Sequence, residues 1–133
     1  MSHAEKQSWG VTVLRVMVGI VFLAHGSQKL FVYGVQGFAG FLAHMGLPTF
    51  LAPIVIAIEF LGGAALILGI GTRIAAAALA MNMLGAVLGV HLKGGFFLPT
   101  GFEYALTMLA ATVALALTGP GAASLDEMRA RQA

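Results

Sequence analysis

"VTVLRVMVGIVFLAHGSQKL", residues 11–30, decides the fold. At about 1.5 Å rise per residue, this run covers the ~30 Å hydrocarbon core of a bilayer. It is longer than the ~7–15-residue apolar core of a secretory signal, and "AHGSQK" does not read as a cleavage site. We therefore expect a retained membrane span from about residue 9 to 30. The stretch then ends on His25, Gln28 and Lys29, groups that hydrocarbon does not tolerate without a partner or a purpose.

The rest of the chain extends this reading. Of 133 residues, 59% are hydrophobic and 9% charged, and the mean hydropathy is +0.96. Soluble domains carry about 25% charged residues, so this chain cannot clothe a soluble surface. Three further apolar runs, about 51–70, 74–92 and 101–117, are separated by Gly- and Pro-bearing breaks such as "GIGTR" at 69–73 and "KGGFFLPTG" at 93–101. The predicted fold is all-α: one integral membrane four-helix bundle forming a single domain over 1–133. Phe38, Phe41, Leu42 and Met45 share one face of a segment too short to span, so a helix over about 35–46 is expected to lie in the interface. Phe96 and Phe97 are expected to anchor the second loop on that side. Ser124 and Glu127 stand at capping-box spacing, which predicts a short surface helix in the tail 120–133.

A net charge of +2 with no basic run gives nucleic acid no purchase. The absence of cysteine means that any thiol chemistry would draw its thiols from a partner. Lys6, Arg73, Arg129 and Arg131 fall on one side and Lys29 and Lys93 on the other, which predicts both termini in the cytoplasm. The "GAVLG" spacing of Gly85 and Gly89, and Gly62 with Gly63, suit close helix packing or a homo-oligomer face.

Arg15, Gly19, Phe22, His25, Gly26 and Lys29 fall in one broad stripe, expected to face the bundle interior. Placed by helical rise, His25, Gln28, Lys29, Glu59, His91, Glu103 and Tyr104 all belong to the outer half. They are the candidate ligand-binding residues of a shared polar pocket, with His25 and Glu59 as candidate proton-handling groups. Arg15 is expected within reach of Glu59 as a structural ion pair. His91 lies opposite Asn82 on an ideal helix, so only one of them can face inward unless the helix end unwinds. "GIVFLAHGSQK" and "GAVLGVHLKGG" form a faint internal echo, each with glycine, an apolar run, histidine and then lysine. No Glu-x-x-His pair stands on any helix, as di-iron bundles require. No metal is therefore predicted; His25, His91, Glu59 and Glu103 are the residues that could ligate one. A quinone head group fits the pocket better than metal or haem.

The stretches "LRVMVGIVFLAHGSQKLF", "GFAGFLAHMGLP", "IEFLGGAALILGIGTRIAA", "HLKGGFF", "GFEYALTMLAA" and "GPGAASLD", in this order, resemble the DoxX family of small bacterial membrane proteins over roughly residues 14–126. The resemblance implies a four-span bundle in the bacterial inner membrane and a link to redox physiology, through similarity to a subunit of a thiosulfate:quinone oxidoreductase. It also implies an oxidoreductase partner subunit supplying thiols or redox centres. Its pattern falls on Arg15, His25, Gly26, Lys29, Glu59, Gly62, Gly63, Gly69, Arg73, His91, Glu103 and Tyr104. The expected function is a redox-associated accessory subunit holding a quinone or small reductant. The alternative is a scaffold or small-solute carrier with no chemistry of its own.

Overall fold

A computed structural model describes residues 1–133, and it is all-helical. Helix α1 runs His3–Ser27, α2 Gly34–His44, α3 Leu51–Leu68, α4 Thr72–Ala86, α5 Glu103–Thr118 and α6 Leu125–Gln132. Two π-helical segments extend the pattern: Gln28–Tyr33 joins α1 to α2, and Val87–His91 continues α4. A π turn holds an extra residue, so side chains beyond it leave the α-helical register. The first begins where the stretch "GIVFLAHGSQK" ends, and the second lies within "GAVLGVHLKGG".

Three helical stretches, His3–His44, Leu51–Leu68 and Thr72–Gly94, are long and apolar enough to cross a membrane. The chain is a membrane protein with a helical bundle. Helix α5 is apolar but has only 16 residues, about 24 Å at helical rise. It lies along α4 and touches α1, which closes the bundle around Phe22, Leu66, Leu79, Met83, Met108 and Leu115.

Glycine sets the tightest contact, between α1 and α3. A methyl group on Gly26 would lie 2.6 Å from the Phe60 backbone nitrogen, and one on Gly19 would lie 2.8 Å from the Gly63 carbonyl oxygen. By contrast, Gly85 faces open space and Gly89 meets only the Leu47 side chain. The close approach thus uses Gly19, Gly26 and Gly63, not the "GAVLG" pair. Gly26→Ala is expected to cost about 1–3 kcal/mol by forcing the two backbones apart. Gly85→Ala should be neutral or stabilising, since alanine is the better helix former. Thermal unfolding of both variants in detergent checks the contrast.

Helix α2 hooks back over the start of α3. Gly34 at its start has a φ of 76°, which redirects the chain. Phe38 and Leu42 are buried against Ala52 and Ile56, whereas Phe41 stays exposed. Part of the apolar face expected to meet lipid is therefore spent on protein. At the other end, Ser124 caps α6 by accepting the Glu127 N–H at 3.0 Å, the contact its spacing predicts.

Candidate functional site

Glu59 sits at the middle of α3 with its side chain only 3% exposed. Its carboxylate accepts a 2.5 Å bond from the Lys29 ammonium and a 3.0 Å bond from the Asn82 side-chain amide. Lys29 belongs to the first π-helical segment and Asn82 to α4, so one carboxylate ties three helices. A buried carboxylate in a membrane is tolerable only when paired and hydrogen-bonded in this way. The Lys29 ammonium also lies 5.3 Å from the centre of the Phe38 ring on α2, a cation–π contact. Its side chain keeps 19% exposure, so the pair stands at the rim of the bundle and not at its sealed centre.

Beside the pair, His25 stacks on Tyr104 of α5, with ring centroids 5.4 Å apart and planes inclined by 29°. His25 was expected inside the bundle, but it is exposed on the flank of α1. Thr12, Arg15, Val18, Gly19, Phe22 and Gly26 form the stripe that is buried. The broad stripe read from the sequence is narrowed because Gly26, not His25, makes the contact with α3.

The expected Arg15–Glu59 ion pair does not form. Arg15, 1% exposed, donates instead to the carbonyl oxygens of Pro120 and Ala123, the latter at 2.6 Å. Arg15 and Lys29 lie about 21 Å apart along the continuous first helical stretch, so one carboxylate cannot serve both. Lys29 reaches Glu59, and the returning C-terminal segment meets Arg15. Gln28, His91 and Glu103 make no side-chain hydrogen bond to the Lys29–Glu59 pair. Of the seven expected residues, the structure groups Lys29, Glu59 and the His25–Tyr104 stack, with Gln28 beside His25 on an open groove; it shows no side-chain hydrogen bond of His91 or Glu103 to that group. Asn82 joins the group. It was visible in the sequence as a polar residue within a span, but nothing there showed that it, rather than His91, turns toward Glu59. His25, His91, Glu59 and Glu103 do not come together as a metal-ligating group.

A second polar network locks the opposite end. The Thr12 hydroxyl accepts from the N–H of Ala122 at 2.9 Å, Arg73 donates to the Leu117 carbonyl at 2.6 Å, and Asp126 accepts from the N–H groups of Gly71 and Thr72 at 2.8 and 2.9 Å. Arg73 thus caps the C-terminus of α5 and Asp126 the N-terminus of α4. Partial burial works to raise the Asp126 carboxyl, but the N–H groups of Thr72 and Gly71, the Thr72 hydroxyl and the Arg129 charge outweigh it and hold the group below its ordinary value. A depressed folded value stabilises above the unfolded pKa of about 4 and is lost as pH falls through the folded value. Asp126→Asn should therefore lower the unfolding temperature at pH 7. The gap from the parent should narrow on acidification below pH about 4; a gap constant with pH would contradict this.

The bundle, the glycine seam and the buried ion pair can now be set against known proteins. The family model described as DoxX matches residues 10–92. The chain belongs to the DoxX family. Among relatives, the Bacillus subtilis protein named "Putative oxidoreductase CatD" is 38% identical over 88% of this chain and 84% of its own length. The "Uncharacterized membrane protein Rv3486" of Mycobacterium tuberculosis is 35% identical over 98% of this chain and 87% of its own. The "Inner membrane protein YqjF" of Escherichia coli is 35% identical, covering 90% and 91%. No solved structure matches. The DoxX match runs from Gly10 within α1 past the end of α4 to Leu92, and so includes Lys29, Glu59 and Asn82.

Proposed function

We propose that this DoxX protein is a redox-associated accessory subunit of the bacterial inner membrane that binds a quinone or a small reductant at the Lys29–Glu59 site. The observation that carries the proposal is a carboxylate buried among three helices, whose ammonium partner and neighbouring imidazole both remain reachable from outside. In this reading α5 makes a fourth crossing and both termini are cytoplasmic, which puts the site near the outer face.

Quinone reduction to the quinol consumes two electrons and two protons. With no cysteine in the chain, the electrons would come from a partner subunit whose thiols are oxidised to a disulfide. The residues of this chain would bind and manage protons. Glu59 and His25 are groups that exchange protons, Asn82 holds the Glu59 carboxylate in place, and Lys29 offers an ammonium to a developing oxygen anion. The name of CatD supports a redox role. The donor set, an ammonium, an imidazole and amides without a metal-ligand group, suits hydrogen bonding to carbonyl oxygens.

Native mass spectrometry of the protein released from lipid nanodiscs made with native membrane extract tests the reading. We expect a retained mass equal to a quinone, lost in the His25→Ala, Glu59→Gln double variant. Membranes containing the parent should reduce added decylbenzoquinone faster than membranes carrying the double variant. A bare protein, together with equal reduction rates, would support the scaffold instead.

A further inference from the structure

The exposed face of α1 is apolar for most of its length and then turns polar. Val13, Met17, Ile20, Ala24, Gln28 and Phe31, spaced by three or four residues, are all exposed. They form the stripe opposite the buried one, and so the stripe that meets lipid. On it lies an open groove of about 500 Å³ lined by Ala24, His25, Ser27, Gln28, Phe31 and Val32. The groove has two chemistries. Its polar part holds His25, Ser27 and Gln28, beside the Lys29–Glu59 pair. Its apolar part holds Ala24, Phe31 and Val32, open to the acyl chains. Exposed imidazole and amide groups on a lipid-facing stripe are costly unless something hydrogen-bonds to them.

Resting on the quinone reading above, we infer that the ligand is an amphiphile that reaches the site sideways from the bilayer. Its hydrogen-bond-accepting head meets His25 and Gln28, and its apolar chain lies over Phe31 and Val32. This places access on the lipid-facing flank of α1 and not at the aqueous mouth of the bundle. Lys29, in the π-helical segment, turns to Glu59 from the inward side while Phe31 and Val32 remain exposed on the other, so the groove and the ion pair flank the same turn of chain. The His25 ring, stacked on Tyr104, stands between the groove and α5.

Photolabelling with a chain-bearing azido-benzoquinone, in vesicles of phosphatidylethanolamine and phosphatidylglycerol, separates the cases. We expect label on peptides covering residues 24–32. Unlabelled decylbenzoquinone should compete about tenfold or more better than the same head without its chain, at equal concentration in the bilayer. Ala24→Trp fills the groove from an exposed position and should weaken competition about tenfold. Ile54→Trp, on the exposed face of α3, should leave it unchanged. Helical content and unfolding temperature confirm that each variant folds, and Val32→Asn gives a smaller change to the same wall. If both quinones compete equally and Ala24→Trp has no effect, the site binds a quinone but not from the bilayer, and the inference falls alone. If neither quinone competes against the excess lipid, the quinone reading falls with it.

Discussion

Glu59→Leu is expected to destabilise the protein by about 3–5 kcal/mol. The substitution leaves the Lys29 ammonium beside the Phe38 ring without its carboxylate, and strands the Asn82 amide. Lys29 retains 19% exposure, so its long side chain can withdraw toward the membrane surface, which favours the lower end of that range. The informative comparison is with Lys29→Met and the Lys29→Met, Glu59→Leu double variant. Removing both charges replaces a buried pair by apolar groups of similar size, which is often neutral or stabilising. We expect the double variant to recover most of the loss, with a coupling of about 2 kcal/mol or more in a double-mutant cycle. Unfolding in mixed micelles gives the four stabilities. Additive losses would mean that the two side chains do not depend on one another. A double variant that regains stability but no longer binds quinone would assign the pair to function, because a merely structural lock has nothing left to lose once stability returns.

Arg15→Leu is expected to cost about 2–4 kcal/mol and to release the C-terminal segment. The guanidinium is almost wholly buried and donates to the carbonyls of Pro120 and Ala123. Each carbonyl left unpaired in the interior costs about 1–3 kcal/mol. Those bonds, with the Thr12 hydroxyl on the Ala122 N–H, fasten residues 120–123 beneath α1. Once they are lost, α6 should be held mainly by Asp126 on the start of α4. Limited proteolysis reads this directly, since Arg129 and Arg131 lie on α6. We expect tryptic cleavage there to accelerate in Arg15→Leu and only slightly in Thr12→Val. Cleavage at the parent rate would show that the segment is held by other contacts. Neither result depends on what the Glu59 site binds, because Arg15 and Lys29 stand about 21 Å apart along the first helical stretch and share no partner.

The helices themselves were legible in the sequence, because hydrophobic runs of membrane length broken by Gly and Pro leave few alternatives. The runs over 51–70, 74–92 and 101–117 correspond to α3, α4 with its π-helical extension, and α5. The Ser124 cap was equally legible, since a cap is a contact between residues three apart. The candidate site was legible only in its inventory. Lys29, Glu59, His25 and Tyr104 were recognisable as polar groups needing partners in the membrane, but which partner each would find was not.

That limit has a physical origin. Composition and periodicity by themselves determined that this chain lives in a membrane, where its apolar helices lie to within several residues, and which residues would have to be paired. These are properties of segments a few turns long. Helix α1 itself begins at His3, where Ser2 and Glu5 cap it. Only the tertiary structure decided that Glu59 binds Lys29 and Asn82, that Arg15 turns to the carbonyls of the returning C-terminal segment, and that His25 is exposed while Gly26 is buried. Each depends on how far one helix slides along another and how it is rotated about its axis. Those two quantities are set by the glycine contact between α1 and α3 and by π-helical turns that shift the register. A helical period locates a face to within a broad arc; a hydrogen bond needs its partners within about 3 Å, and only the packed bundle supplies that accuracy.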